Sequence, residues 1–547
     1  MSPTSNSATL DASLADWWVG AVIYQIYPRS FQDSNGDGIG DLKGITARLA
    51  HVKGLGVDAV WISPFFKSPM ADFGYDVEDY CAIDPMFGTL ADFDALIAEA
   101  RRLGVKVIID QVISHTSDMH EWFKESRESK DNVKADWYVW ADAKDDGTPP
   151  NNWLSVFGGS SWQWDTSRCQ YYLHNFLASQ PDLNFHCEAI QDALLGTIRF
   201  WLGRGVDGIR LDTVNYFFHD QQLRANPARP PVSLATVSDV NPYGRQFHLY
   251  DKTRPENLTF LKRLRALLNE TGAIAMGEVG DEDRSLATMA AYSAGTDMLH
   301  MCYTFDMLGP RFDPGLFRES VEGFIEAAPE GWPCWAFSNH DVQRHVTRWA
   351  REGVFRAHFA KFAISLLVSL RGQICLYNGE ELGLPEAELE LKDLQDPYGI
   401  RFWPKFKGRD GCRTPFIWDG SDPKAGFTKG KPWLPVPADQ LPLAAAMQEA
   451  DQDSVLNHYC RTVALRRSRR SLAIGDIKFL DLGEDMLAFV RSLNDEQTFC
   501  AFNFSNARQE FAAPDGFAQG RVISASDDGG GAALPPFGWV IMALQDS

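Results

Sequence analysis

The sequence predicts an α/β fold: a (β/α)8 (TIM) barrel with an inserted subdomain after the third strand and a C-terminal antiparallel β-sandwich. Three observations predict it. Eight short runs rich in β-branched and aromatic residues recur along the chain, several of them apolar throughout, as strands buried on both faces are. Stretches of helical periodicity lie between the runs. No GxGxxG follows the first run, where an open doubly wound sheet would carry it, so closure of eight strand-helix units into a barrel is the better solution.

The runs begin at Val22 (VIYQIYPRSF), Val57 (VDAVWISP), Val105 (VKVIIDQVI), Val206 (VDGIRLDTV), Ala273 (AIAMGEVG), Met298 (MLHMCYTFD), Cys334 (CWAFSNHD) and Gln373 (QICLYNGEE). Before the third run, DFDALIAEARRLG sets Phe93, Leu96, Ile97, Ala100 and Leu103 on one helical face, and Gly104 supplies the stop. AIQDALLGTIRFWLGRG repeats the design with Ile190, Leu194, Ile198 and Trp201, ending at Gly205. After the third run the pattern lapses over a Trp-, Asn- and Gly-rich stretch too long to be a connector. A second insertion, about 386–441, follows the eighth run, and SVLNHYCRTVALRRSRRSL is the helix that closes the barrel. Beyond it, DMLAFVRSL and TFCAFNFS alternate as antiparallel strands do, and SDDGGGAALPP reads as a flexible turn. The expected domains are barrel residues 1–113 and 186–473, an inserted domain 114–185 and a C-terminal β domain 474–547.

Composition narrows the function classes. The 52 Lys and Arg face 73 Asp and Glu, a formal net charge of −21, which disfavours nucleic acid or an anionic membrane as partner because both need a basic face. Neutral ligands fit better, with 17 Trp and 15 Tyr to stack on them. Nine scattered Cys without a CxxC pair argue against a disulfide framework or a zinc site. The opening MSPTSNSATLDASLADWW lacks the pattern of a signal peptide, and no run is long enough to span a membrane. A cytoplasmic protein, monomer or homodimer, is the expectation.

Barrel chemistry belongs at the C-terminal ends of the strands. Those ends carry Asp110, His115, Arg210, Asp212, Glu278, His340 and Asp341. Any one of them alone would read as a structural ion pair. Three carboxylates on three different strands, with Arg and His between them, are costly to crowd together and point to function. Paired carboxylates suit acetal chemistry, where one group protonates the leaving oxygen and the other stabilises an oxocarbenium-like centre.

The ordered motifs GVDAVWISP, DQVISH, QPDLN, GIRLDTV, GEV, FSNHD and GCRTPF resemble the α-amylase family of glycoside hydrolases, on its oligo-1,6-glucosidase and α-glucosidase side. The resemblance spans nearly the whole chain. It implies that Asp212 is the nucleophile, Glu278 the general acid and base, and Asp341 a transition-state-stabilising carboxylate. It implies substrate contacts from Tyr75, Asp76, His115, Arg210, His340 and Arg413, with Asp76 and Arg413 pairing at the end of the first sugar site, and weaker wall residues in Phe176 and Phe305. Asp110 is expected to organise Arg210. Thr213, directly after the nucleophile, goes with α-1,4 preference in the family, where Val goes with α-1,6.

Two further features concern metals. The family often has Asn before its subsite histidine, and in many amylases that Asn ligates calcium; Ser114 stands there, which argues against that site. DSNGDGIGD offers Asp33, Asn35, Asp37, the Ile39 carbonyl and Asp41 at alternate positions, with Gly44 where an EF-hand has Glu. A structural Ca²⁺ or Mg²⁺ is expected on that loop, and no organic cofactor. The expected activity is that of a retaining, exo-acting α-glucosidase on short glucosides, with transglucosylation. Sucrose isomerase or trehalose synthase chemistry is the same-fold alternative, and a non-catalytic family relative the remote one.

Overall fold

The computed structural model describes residues 16–230, 237–526 and 533–544. Most of the opening segment read for a leader, and the centre of the Gly-rich turn at 526–536, lie outside the described residues. Each of the eight predicted runs forms one barrel strand: β1 Val22–Ile26, β2 Ala59–Ile62, β3 Lys106–Gln111, β4 Gly208–Leu211, β5 Ile274–Val279, β6 Met301–Thr304, β7 Cys334–Ala336 and β8 Gln373–Tyr377. The sheet is parallel in the order β6-β5-β4-β3-β2-β1-β8-β7, and a parallel bridge from Cys302 to Pro333 joins its two ends into a barrel.

Inward side chains Ile23, Trp61, Ile108, Ile274, Met276, Met301 and Cys375 fill the barrel, while the outward faces pack on the helices. The helix Leu90–Leu103 shows how local signals deliver these units. Thr89 and Asp92 form a reciprocal capping box at its start, and Gly104 ends it at φ +67°. Close packing at the rim needs small residues: a Cβ on Gly277 would lie 2.8 Å from Leu299 Cδ1. Glycine here lets the strand that carries Glu278 approach its neighbours.

After β3 the chain leaves the barrel and forms helix Glu121–Glu128 and a three-stranded antiparallel sheet of Trp140–Ala141, Gln170–Leu173 and Trp162–Asp165. Its two ends are clipped together, with Leu183 N donating to Ser114 O (3.0 Å) and Thr116 N to Pro181 O (3.2 Å). QPDLN therefore anchors the excursion beside the barrel mouth. The C-terminal strands form an antiparallel sheet ordered Asp476–Leu480, Met486–Leu493, Glu496–Asn503, Trp539–Ala543, Arg521–Ala525. Period-2 alternation sends Leu487, Phe489, Cys500 and Phe502 toward the barrel core, and Met486, Ala488, Phe499 and Ala501 toward Phe511, Phe517 and Leu534. A two-stranded pair, Gln509–Glu510 with Ala533–Leu534, accompanies it.

Candidate active site

Sheet register builds the centre. Asp110 on β3 lies opposite Arg210 on β4, and Glu278 on β5 opposite Tyr303 on β6. Arg210, fully buried, is the hub. Its Nη1 reaches Asp110 Oδ1 (2.8 Å) and Asp212 Oδ1 (2.7 Å), and its Nη2 reaches Glu278 Oε1 (2.6 Å) and Tyr303 Oη (2.8 Å). Trp61 packs under the guanidinium, 4.8 Å from its ring centroid, and donates its indole N–H to Asp110 (3.2 Å). Such a site is high-stakes: removing the cation would strand three buried carboxylates.

Electrostatics separates the acids. Burial pushes Asp212 and Glu278 up to about 7 against the pull of Arg210; the charges of Asp110 and Asp341 add to the rise at Asp212, and those of Asp212 and Asp341 at Glu278. Two acids that close titrate as a pair. Asp341 goes the other way: burial opposes its ionisation, but His340, Arg409 and Arg413 outweigh it and hold the carboxyl well below the usual range. His340 is itself kept neutral, by burial first and then by the nearby guanidiniums, so the lasting pull on Asp341 comes from the two arginines. Gln25 Nε2 lies 2.7 Å from His340 Nδ1, and Tyr75 Oη 2.6 Å from Nε2. Glutamine donates to Nδ1, which leaves the ring proton on Nε2.

A cavity of about 410 Å³ opens above this centre. Tyr75, His115, Phe176, Asp212, Thr213, Glu278, Phe305 and Asp341 line it; Arg210 and His340 sit beneath, touching these residues rather than the cavity. His115 is buried and its pKa falls to about 4 for that reason, and its ring lies 5.2 Å from Phe176.

The expected pair of Asp76 and Arg413 is not formed. Asp76 turns into its own loop, where it accepts from Ala71 N (2.8 Å), Asp72 N (3.0 Å) and Ser68 Oγ (3.0 Å). Burial lifts its pKa to about 6 despite those bonds. Arg413 lies behind the cavity wall, held by the His340 carbonyl (2.7 Å) and Asp341 Oδ1 (2.9 Å). An ion pair at the cavity wall uses neighbouring residues instead: Asp72, first residue of DFGYD, and Arg409, two residues before GCRTPF, meet at 2.7 Å. Arg409 is forked onto Asp396 (2.8 and 3.1 Å), reaches Asp341 at 3.4 Å and lies over Phe157. Asp72, Arg409, Phe157, Tyr216, Tyr243 and Tyr398 line the cavity and escaped sequence reasoning. Asp76 and Arg413 follow from the family resemblance, and no local signal distinguishes Asp72 or Arg409, four residues before each, as the partners that meet.

The loop 33–41 lies away from the cavity and closes largely on its own amides. Asp33 accepts from the N–H groups of Asn35, Gly36 and Gly38 and from Thr428 Oγ1, Asp37 from Ile39 N, and Asp41 from Gly44 N and Ser34. Among the described residues no three acidic, His or Cys side chains converge as a ready-made metal cage. Asp33 accepts two hydrogen bonds on each oxygen and Asp41 is engaged on both of its own, so among these carboxylates Asp37, with one contact per oxygen, keeps the most acceptor capacity for a cation.

Comparison with known proteins agrees with this geometry. The profile of the α-amylase catalytic domain matches residues 25–475. A probable α-glucosidase of Rhizobium meliloti is 62% identical over 495 residues, 90% of each chain. The oligo-1,6-glucosidase of Heyndrickxia coagulans is 37% identical, covering 92% of this chain and 94% of its own. Among solved structures, the α-glucosyl transfer enzyme XgtA superposes with a TM-score of 0.93 at 54% identity, over 97% of this chain and 100% of that one. The trehalulose synthase MutB of Pseudomonas mesoacidophila gives 0.87 at 33% identity, over 97% and 99%. With its eight-stranded barrel, its rim of carboxylates around one arginine and matches over most of its length, the chain belongs to the α-amylase family.

Proposed function

We propose that the protein is a retaining, exo-acting α-glucosidase that removes one glucose from short α-glucosides, with transfer to sugar acceptors as a side reaction. The observation that carries the retaining reading is the single guanidinium shared by Asp212 and Glu278. Two carboxyls on one fork favour the short separation of double displacement, ~5–5.5 Å, over the ~6.5–9.5 Å of inverting enzymes. Asp212 attacks the anomeric carbon while Glu278 gives its proton to the leaving oxygen; Glu278 then takes a proton from water as the ester opens. Asp341, held charged by Arg409 and Arg413, binds sugar hydroxyls, and Tyr75, His115 and Phe176 form the walls. NMR of the first-released sugar should show α-glucose, and β-glucose would exclude double displacement.

The likeness to an α-glucosyl transfer enzyme at 54% identity favours a second reading in which transfer exceeds hydrolysis. Product ratios on maltose and sucrose, with water and sugar competing as acceptors, decide between them. Thr213 lines the cavity next to Asp212, which supports a role in linkage choice. Thr213→Val should raise isomaltose relative to maltose hydrolysis by about tenfold, within the ~1–3 kcal/mol that shape discrimination supplies. An unchanged ratio would assign linkage choice elsewhere.

Alternating oxygens on the loop 33–41 support a structural Ca²⁺ or Mg²⁺ there, bound through Asp33, Asn35, Asp37, the Ile39 carbonyl and Asp41. EDTA should then lower Tm by several degrees and leave room-temperature kcat nearly unchanged, because a ligand bound only to the folded state adds stability. If Asp37→Ala melts like wild type with and without EDTA, the loop is only a turn. Nine free cysteines support a reducing, cytoplasmic setting. Among the described residues no helix is long and apolar enough to cross a membrane. For the assembly, monomer or homodimer, sedimentation is the direct measurement.

A further inference from the structure

We infer that Ser114 is a positioning residue that tunes Asp212 through Thr213, by competing with the carboxylate for the threonine hydroxyl proton. The inference rests on the reading of Asp212 as nucleophile. Thr213 is unusual: a β-branched residue in the left-handed region, φ +41° and ψ +49°. That conformation is held by contacts at both of its polar groups. The backbone N–H donates to Glu278 Oε2 (3.1 Å), and the hydroxyl lies 3.2 Å from Asp212 Oδ2 and 3.1 Å from Ser114 Oγ.

The direction of the hydroxyl bonds follows from His115. Its Nε2 lies 2.9 Å from the Tyr75 carbonyl, which can only accept, so Nε2 carries the ring proton. Gln180 Nε2, 3.2 Å from the same nitrogen, has its acceptor in Asp72 Oδ2. His115 Nδ1 is therefore an acceptor, and Ser114 Oγ at 2.9 Å gives it the serine proton. Ser114 Oγ can then only accept from Thr213. The single threonine proton is divided between Ser114 Oγ and Asp212 Oδ2, and both contacts are correspondingly long. The backbone of Ser114 is held by Leu183 N donating to its carbonyl (3.0 Å), and its hydroxyl by the contacts to His115 and Thr213.

The division matters because the charge on Asp212 vanishes when it becomes an ester. With Asp212 ionised, the proton leans toward the carboxylate; with Asp212 esterified, Ser114 takes it and no buried donor is orphaned. Ser114 thus weakens the hydrogen bond to the charged nucleophile and offers the proton a second home in the intermediate. Everything else facing Asp212 stays in place when Ser114 is changed: Arg210 on β4, Asp110 on β3, Glu278 on β5, Asp341 after β7, and Tyr75 after β2.

Two single variants give opposite signs. Ser114→Ala hands the threonine proton wholly to Asp212, so the acid limb of the kcat/KM profile should move down by about half a pH unit, with kcat/KM at the optimum reduced several-fold. Thr213→Val removes the donor, so the same limb should move up. The double variant should match Thr213→Val, and Ser114→Thr should keep the wild-type limb. A limb in Ser114→Ala that stays still or moves up, or a mere rise in KM from a displaced His115, would overturn the inference. Labelling with a fluorinated glucosyl fluoride separates the two levels. Label on Asp212 in wild type and Ser114→Ala, with an unmoved limb, sinks only the role of Ser114, whereas label on another residue sinks the nucleophile assignment beneath it.

Discussion

Asp212→Asn should lower kcat by about 10⁴-fold or more on every substrate while leaving Tm within a few degrees of wild type. An amide cannot form the glycosyl ester, and its removal also takes away one of three carboxylates that crowd Arg210. Some buried repulsion is relieved by the change, which is why the fold should survive it. Glu278→Ala completes the test with a different signature. On an aryl glucoside whose leaving group needs no proton, the ester should form and then accumulate, because no base activates water. Azide, which needs no base, should release it as α-glucosyl azide and restore turnover. Azide should do nothing for enzyme with Glu278 intact. Rescue that yields the β-azide would exchange the roles of the two carboxyls.

The second large effect is expected at the end of the cavity. Arg409→Ala should reduce kcat/KM for maltose by about 10²–10³-fold and flatten the decline with chain length. Arg409 joins four parts of the molecule: Asp72 after β2, Asp396 in the second insertion, Asp341 after β7 and, through its ring contact, Phe157 in the excursion after β3. With Asp72 it closes the space beyond the first sugar, so that a longer chain cannot thread through. Arg409→Lys should recover little, since an ammonium has no fork to hold Asp396 while it reaches Asp72. Arg413→Ala should act differently, loosening Asp341 and His340 without opening the cavity, so its activity should fall with the chain-length profile unchanged. Rapid viscosity loss of soluble starch with wild-type enzyme would show that the bridge does not close the site.

Much of this molecule is legible in one dimension, for reasons that differ by feature. The strands are legible because parallel strands covered on both faces must be apolar along their length, which is how VKVIIDQVI and QICLYNGEE read. Asp212, Glu278 and Asp341 stand out because a carboxylate that ends such a run must lie at the barrel rim, whatever the loops do. The meeting of Asp110 and Glu278 at Arg210 then follows from sheet register, residue 110 opposite 210 and residue 278 opposite 303, and Asp212 joins them two residues along the strand from Arg210, whereas Asp341 is held by Arg409 and Arg413.

Loop side chains obey no such periodicity. Asp72 and Asp76 are four apart, as are Arg409 and Arg413, and nothing local says which member of each pair faces the cavity. The loop 68–76 decides for the first, by turning two backbone N–H groups and the Ser68 hydroxyl onto Asp76. Asp396 decides for the second by capturing Arg409 in a forked pair. The proton order through His115, Ser114 and Thr213 is likewise tertiary, since it starts from the Tyr75 carbonyl, which the loop after β2 brings under the imidazole. Local pattern thus determined by itself the barrel, its rim of acids and the family they mark. The three-dimensional packing alone decided which charges meet, because a salt bridge between residues 337 positions apart depends on where two loops come to rest.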